Sequence, residues 1–111
     1  MADKNAEHKE LPSLIKRALS CKDDYVITSE FQLRLDSMQI QYGEFLSSML
    51  YMTCYSGDTI ELVSGSRIIF VHKNNHERLK CFNTIAIDLD ELIRLRDTPP
   101  NYKSDWSVYT P

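Results

Sequence analysis

Two β-prone runs separated by a short glycine-containing connection constrain the fold of this chain more than any other feature. The runs cover residues 59–63 and 67–72, and the sequence Ser-Gly-Ser lies between them at 64–66. β-branched and aromatic residues favour strands, and three-residue loops that contain glycine are common in hairpins. The sequence therefore predicts an antiparallel hairpin over residues 59–72.

The chain after this hairpin is predicted to return to the sheet once and then to end in a helix. The asparagines at 74–75 favour a turn, and residues 79–87 predict a third strand of a small antiparallel meander. A last helix is expected to begin at Asp88 or Asp90, and the prolines at 99–100 end it. Its inner face is predicted to carry Leu89, Leu92, Ile93 and Leu95.

Two elements and a tail are predicted before residue 30. Residues 1–10 are mostly polar or charged, and this composition predicts a mobile N-terminal tail. Pro12 and Ser13 suit the start of a helix, because apolar residues follow at helical spacing up to Cys21. Residues 25–27 form a short β-prone run, which predicts one strand.

The segment 31–55 satisfies two periodicities at once. Apolar and polar residues alternate in its first half, which predicts a hairpin over 31–42, but apolar residues also recur at steps of three and four. The second pattern predicts helices, and a capping-box pattern before the segment supports it. Gly43 disfavours one continuous helix by about 1 kcal/mol relative to Ala. We therefore predict two helices, near 29–36 and 42–55, the second ended by Gly57.

Charge and cysteine usage exclude several classes of protein. Thirteen Lys and Arg residues against sixteen Asp and Glu residues give a net charge of -3, which disfavours general coating of nucleic acid. Three cysteines, at 21, 54 and 81, cannot form a complete disulfide framework, so a reducing compartment is expected. The chain also shows no signal peptide and no apolar run long enough for a membrane span. These features predict a cytoplasmic protein.

One local concentration of positive charge lies in and after the central hairpin. Only Glu77 opposes it. Its residues are Arg67, His72, Lys73, His76, Arg78 and Lys80. Such a segment can contact a phosphate backbone or an acidic protein, and protonation of its histidines would strengthen either attraction. Basic residues also protect solvated strand edges from aggregation, which is the alternative explanation for this segment.

The C-terminal residues 99–111 form an aromatic tail. Tyr102, Trp106 and Tyr109 follow the two prolines. Tyrosine and tryptophan are enriched where proteins bind each other, so the three residues are candidate binding residues. The alternative is that the tail folds back and completes the core.

No motif that fixes a chemistry is present. The sequence lacks a nucleophile elbow, a phosphate-binding loop, a dinucleotide fingerprint and a His-Glu-x-x-His motif. Cys54 and Cys81 are potential nucleophiles with His72 or His76 as base, but no surrounding sequence positions them. The His-x3-His spacing spans a predicted turn, and the acids at 88–91 are explained by helix capping. We therefore predict no catalytic residues, no metal and no cofactor.

Together these patterns predict one α+β domain over residues 11–98, with three or four helices and a small antiparallel hairpin or three-stranded meander. The order of elements is similar to that of a winged helix, whose wing would be the hairpin. The predicted core consists of Leu14, Phe45, Met49, Ile60, Ile68, Phe70, Ile85 and Leu92.

The functional expectation is a non-catalytic module that binds another macromolecule. The acidic total charge and the lack of a catalytic pattern favour a protein partner, as for a small inhibitor, an adaptor or an immunity-type regulator. The alternative is a winged-helix-like binder of nucleic acid that uses the hairpin and turn at 67–80. A small enzyme with a scattered active site is the third hypothesis. The sequence predicts no membrane association and leaves the oligomeric state open.

Overall fold

A computed structural model describes residues 11–100 and Tyr102 and confirms the α+β class. The described part contains four helices and a five-stranded sheet, which is larger than predicted and mixed rather than antiparallel. In chain order the elements are α1 (Ser13–Ser20), β1 (Asp24–Ser29), α2 (Gln32–Ser48), β2 (Met52–Ser56), β3 (Thr59–Leu62), β4 (Arg67–His72), α3 (His76–Leu79), β5 (Ile87–Asp88) and α4 (Leu89–Arg94).

The sheet has the order β2-β3-β4-β1-β5. β2, β3 and β4 are antiparallel neighbours, and the predicted central hairpin is β3–β4, with Ile60 opposite Ile68. β1 lies between β4 and β5 and is parallel to both. Its position follows from its sequence, because a strand that is apolar on both faces has to be covered on both. The similarity to a winged helix is not confirmed.

The two faces of the sheet support two apolar clusters of unequal size. The larger cluster joins one face to α1, α2 and α4, and Tyr102 is buried in it. The smaller cluster lies on the opposite face, where Leu79 and Phe82 pack against Val26, Ile69 and Val71. One face of the sheet is therefore covered by a thick layer of helices, and the other face is covered only by a few side chains.

The prediction of two helices over residues 29–36 and 42–55 is wrong, and so is the alternative hairpin over 31–42. One helix, α2, runs through Gly43, and β2 follows it after three residues. The apolar residues spaced three and four positions apart form the buried face of this helix. They are Leu35, Met38, Tyr42 and Leu46. Leu33 and Ile40, which a strand would have buried by alternation, are exposed.

The helix was predicted to end at Gly57, but the residue that ends it is Leu50. Leu50 has a φ of 61°, its N–H donates to the Ser47 carbonyl, and the N–H of Tyr51 donates to the Leu46 carbonyl. This is a Schellman motif, which most often has glycine at the left-handed position. Gly57 instead forms the β2–β3 turn with Asp58, where its φ of 59° suits a tight hairpin connection.

Gly43 does not break α2 but lets Tyr55 of β2 pack against the helix. A Cβ atom at Gly43 would lie 2.6 Å from Cε2 of Tyr55, which is closer than carbon atoms can approach. The missing side chain therefore sets the spacing between α2 and β2.

Replacing Gly43 by Ala is expected to lower the free energy of unfolding by about 1 kcal/mol. The higher helix propensity of Ala contributes about 1 kcal/mol, but displacement of the Tyr55 ring costs more. In a Tyr55→Ala background the same change is expected to stabilise the protein by about 0.5–1 kcal/mol. Urea denaturation of the wild type, the two single variants and the double variant measures both effects. An equal effect of Gly43→Ala in the two backgrounds would contradict this explanation.

The predicted third strand over 79–87 is also wrong. The short helix α3 ends at Leu79, and only Ile87 and Asp88 pair with β1, in parallel. Ile85, predicted in the core, is 90% exposed, because the segment packs on the second face through Leu79 and Phe82. The predicted cap of the last helix is confirmed, since the Asp88 carboxylate accepts the N–H of Asp90 at 2.8 Å.

The remaining core predictions have mixed outcomes. Leu95 is exposed rather than inward, because the chain turns at Arg96, which has a φ of 57°. Phe45 packs against the larger cluster as a partly buried residue, and Met49 is partly exposed. The confirmed core residues are Leu14, Ile60, Ile68, Phe70 and Leu92. Residues 1–10, predicted as a tail, lie outside the described residues.

Candidate functional site

Two arginines of the predicted basic segment are each paired with a carboxylate from elsewhere in the chain. Arg67 donates to both carboxylate oxygens of Asp24, at 2.7 and 2.8 Å, because the parallel pairing of β1 with β4 places the two residues side by side. Arg78 donates to both carboxylate oxygens of Asp58, each at 2.9 Å. Forked contacts of this kind are the strongest geometry for such a pair.

Lys73 completes this pattern at the other end of the sheet. Its Nζ lies 2.8 Å from Oδ2 of Asp88, which joins the end of β4 to the end of β5. Burial alone would raise the pKa of Asp88, but hydrogen bonds from Lys73 and from the backbone outweigh it and hold that pKa below its ordinary value. The pair is therefore ionised at neutral pH, and the Lys73 charge is balanced.

The two arginines also hold the segment after α3 on the sheet. Both guanidinium groups lie over the Phe82 ring, with the Arg78 and Arg67 guanidinium carbons 4.9 and 5.8 Å from its centroid. Cation–π contacts at these distances stabilise the packing of Phe82 on the second face. Partial burial would raise the pKa of Asp58, but hydrogen bonds from Arg78 and Thr59 lower it overall. The arrangement is a charge-balanced cover for the sheet rather than an open positive surface.

The two histidines of the segment differ in their surroundings. The backbone N–H of Asn74 can only donate, so Nδ1 of His72 accepts it at 3.0 Å, and Nε2 then carries the proton shared with the Glu30 carbonyl, also at 3.0 Å. Both ring nitrogens of His72 therefore face backbone groups of neighbouring segments. His76 and Lys80 are exposed at the two ends of α3.

Tyr102 is the one aromatic candidate of the tail among the described residues. Tyr102 is buried in the larger cluster, so it completes the core rather than facing a partner. Trp106 and Tyr109 lie outside the described residues. The cysteines at 21, 54 and 81 are free and exposed.

Neither a metal cluster nor a membrane-spanning helix is found among the described residues. There, no three His, Cys, Asp or Glu side chains come close enough together to hold a metal ion. None of the helices at 11–100 is long and apolar enough to cross a bilayer.

The free side of β2 is a second candidate site, which was not predicted from the sequence. β2 is the outer strand of the sheet, and four of its five residues are exposed. The strand contains no charged residue and no proline. Its outer N–H and C=O groups have no strand partner among residues 11–100. The opposite outer strand, β5, is only two residues long and runs directly into α4.

Exposed apolar side chains flank this strand on the helical face of the sheet. α2 runs beside β2, because Gln39 donates to the Gly57 carbonyl at 2.6 Å and Gly43 contacts Tyr55. Ile40 lies on the same side of α2 and is 52% exposed, while Tyr55 is 44% exposed. We call β2 with Ile40 the β2 edge.

The β2 edge was missed because residues 42–55 were predicted to be helical. A local signal for the strand exists in the sequence. Thr53 and Tyr55 are β-prone, and Gly57 with Asp58 forms a favourable two-residue hairpin connection to the next β-prone run. The helical periodicity of the preceding residues outweighed that signal.

Neither the models of known protein families, nor the curated proteins, nor the solved structures with which the chain was compared gave a match. Function is therefore inferred from the geometry and charge of the described residues.

Proposed function

We propose that this chain is a non-catalytic module that binds another protein by accepting an extended strand at the β2 edge. One observation carries the proposal: β2 is an exposed outer strand without charge or proline. Proteins usually protect such a strand with lysine, proline or a covering element, because its unpaired backbone groups bind other strands. β2 has a bulge between Met52 and Cys54, but it contains no lysine or proline, and no element within residues 11–100 covers its outer side.

A partner strand would gain main-chain hydrogen bonds from β2 and apolar contacts from α2. Successive side chains of that strand point to opposite faces, so one set would pack beside Ile40 and Tyr55 and the other beside Cys54. The module would then act by occupying or bridging a protein surface, as an inhibitor or adaptor does. A reducing, cytoplasmic location suits three free, exposed cysteines.

We prefer a protein partner to nucleic acid because of the charge balance at residues 67–80. Phosphate binding draws on cations that can release counterions when a phosphate is bound. Arg67, Lys73 and Arg78 already have carboxylate partners. A phosphate backbone would have to displace these carboxylates, whereas a strand can bind the β2 edge without breaking any described contact.

Replacing Cys54 by Lys is expected to abolish capture of the partner, because it places a charge in the middle of the β2 edge. The test is affinity capture from native lysate with mass spectrometry, with and without nuclease. The matched control is Cys21→Lys, which introduces the same side chain at another exposed cysteine, at the end of α1. We expect a protein that survives nuclease, binds the wild type and Cys21→Lys equally, and is lost at least tenfold with Cys54→Lys.

Two results would overturn this function. Equal capture by the two lysine variants would show that the β2 edge is not the binding surface. A partner that is lost on nuclease treatment would indicate recognition of nucleic acid instead. Circular dichroism of both variants checks that they remain folded.

A further inference from the structure

A groove lies at the end of α4, where the chain turns back after its last helix. The N–H of Arg96 donates to the Ile93 carbonyl at 3.0 Å, and the N–H of Asp97 donates to the Leu92 carbonyl at 2.8 Å. Arg96 has a φ of 57°, so this is a left-handed turn that redirects the chain. The groove has a volume of about 510 Å³ and is lined by the last two residues of α4, by Arg96, by residues 98–100 and by Tyr102.

The lining of this groove combines apolar residues with positive charge. Ile93, the prolines at 99–100 and Tyr102 are apolar or aromatic, and Arg94 and Arg96 carry guanidinium groups. Arg94 is paired with Glu91, but no carboxylate of residues 11–100 forms an ion pair with Arg96. An aromatic ring suits such a lining, because it packs against apolar surface while its face attracts a guanidinium group.

We propose that this groove is occupied by the indole ring of Trp106 from the same chain. Residues 103–111 lie outside the described residues, but they continue directly from Tyr102, which itself lines the groove. Trp106 follows Tyr102 by four residues, which span at most about 14 Å. The indole can therefore reach the groove without displacing any described element.

Charge and size favour Trp106 over the other residues of segment 103–111. Asp105 directly precedes Trp106 and would supply the carboxylate that Arg96 lacks among residues 11–100. Lys103 balances Asp105, so the two arginines of the groove do not repel the segment as a whole. Tyr109 is the other aromatic residue of the segment, but it has no acidic neighbour and is a smaller ring system.

This contact changes the role expected for Trp106. A docked indole is shielded by the protein that carries it, so Trp106 would not act as a free anchor for a partner. The β2 edge is then the exposed candidate site, and the groove at α4 already has a ligand within the chain. The inference is independent of the proposed function, since it uses neither β2 nor a partner protein.

The fluorescence of Trp106 tests this contact directly, because Trp106 is the only tryptophan in the chain. Emission of the folded wild type should be blue-shifted from that of the urea-unfolded chain, and acrylamide should quench it less. Arg96→Glu should lower the equilibrium constant of docking about fivefold, because it removes a cation–π contact and places a like charge beside Asp105. The emission of this variant should therefore move towards that of the unfolded chain.

Two further variants separate docking from general effects of charge. The matched control is Lys80→Glu, which reverses the same charge at an exposed residue at the end of α3, on the opposite face of the sheet from α4. Its emission should equal that of the wild type. The double variant Arg96→Glu with Asp105→Lys should recover part of the blue shift, because the two charges are again opposite. Circular dichroism of all variants checks that they remain folded.

Four results would overturn the inference. Equal emission from the folded and the unfolded wild type would show that Trp106 is exposed. A blue shift that Arg96→Glu leaves unchanged would place Trp106 elsewhere on the protein, and a loss of the shift in Lys80→Glu as well would show that the effect is not specific to the groove. A blue shift that disappears on dilution would assign the occupant to another chain.

Discussion

Replacing Ile27 by Ala is expected to lower the free energy of unfolding by about 3 kcal/mol. Ile27 is fully buried in β1, where it lies beside Phe70 of β4 and Ile87 of β5. Truncation loses the transfer free energy of three carbon atoms and leaves a cavity where parallel strands meet, which the backbone ladder prevents from collapsing. Urea denaturation followed by circular dichroism measures the change.

The matched control is Ile85→Ala, which removes the same atoms from a residue that is 90% exposed. It is expected to change the free energy of unfolding by less than about 0.5 kcal/mol. Ile85 was predicted in the core from the sequence but is exposed in the structure, so this pair of variants tests which of the two assignments is correct. Similar losses from both substitutions would show that the segment between α3 and β5 packs inward in solution.

The fold could be predicted from sequence wherever the signal is local. The hairpin β3–β4, strand β1, helix α1 and the Asp88 cap all depend on residues within a few positions of one another, and all are confirmed. The place of β1 in the sheet depends on parallel pairing with β4, about forty residues away, and parallel register has no local sequence signature. This is why the sequence predicted a small antiparallel sheet.

The course of residues 31–55 could not be predicted because two residues act against their usual preferences. Gly43 lies in the middle of a helix, where its lack of a side chain admits Tyr55, and Leu50 adopts the left-handed conformation that usually favours glycine. Helix propensities predict a break in the helix at Gly43 and no break at Leu50. Both choices are decided by how β2 packs, which is information from tertiary structure.

The charge of the candidate site also could not be predicted from the sequence. The basic residues at 67–80 form a positive segment in the sequence, but the fold brings Asp24, Asp58 and Asp88 to them. Hydrogen-bonded partners 43 and 20 residues away cannot be recognised from a local charge count. The β2 edge was hidden for a related reason, since a free edge exists only once the order of strands is known.

Replacing Tyr42 by Phe is expected to stabilise the protein by about 1 kcal/mol at pH 7. Tyr42 is fully buried, its ring packs edge-to-face on Phe70 with centroids 5.6 Å apart, and its hydroxyl has no hydrogen-bond partner in the described part of the chain. Burying an unpaired hydroxyl costs free energy, and phenylalanine keeps the ring without it. Thermal and urea denaturation measure the gain.

Alkaline pH should enlarge this difference. Burial, with the nearby Asp97 carboxylate, raises the pKa of Tyr42 well above its ordinary value. A tyrosine whose pKa is higher in the folded state contributes fully below the pKa of the unfolded chain, and above about pH 10 the unfolded chain loses its proton first. The wild type should therefore lose about 1.4 kcal/mol per pH unit through this group above pH 10, a loss that Tyr42→Phe does not share.

The gap between the two proteins at pH 11.5 is then about 3 kcal/mol, the sum of the hydroxyl cost and the proton linkage. Tyr25, whose pKa burial also raises, is present in both proteins, so its contribution cancels from the difference. Tyr55→Phe serves as the control, because its hydroxyl belongs to a side chain that is 44% exposed. A difference between wild type and Tyr42→Phe that stays constant from pH 8 to 11.5 would show that the Tyr42 hydroxyl reaches solvent in the folded protein.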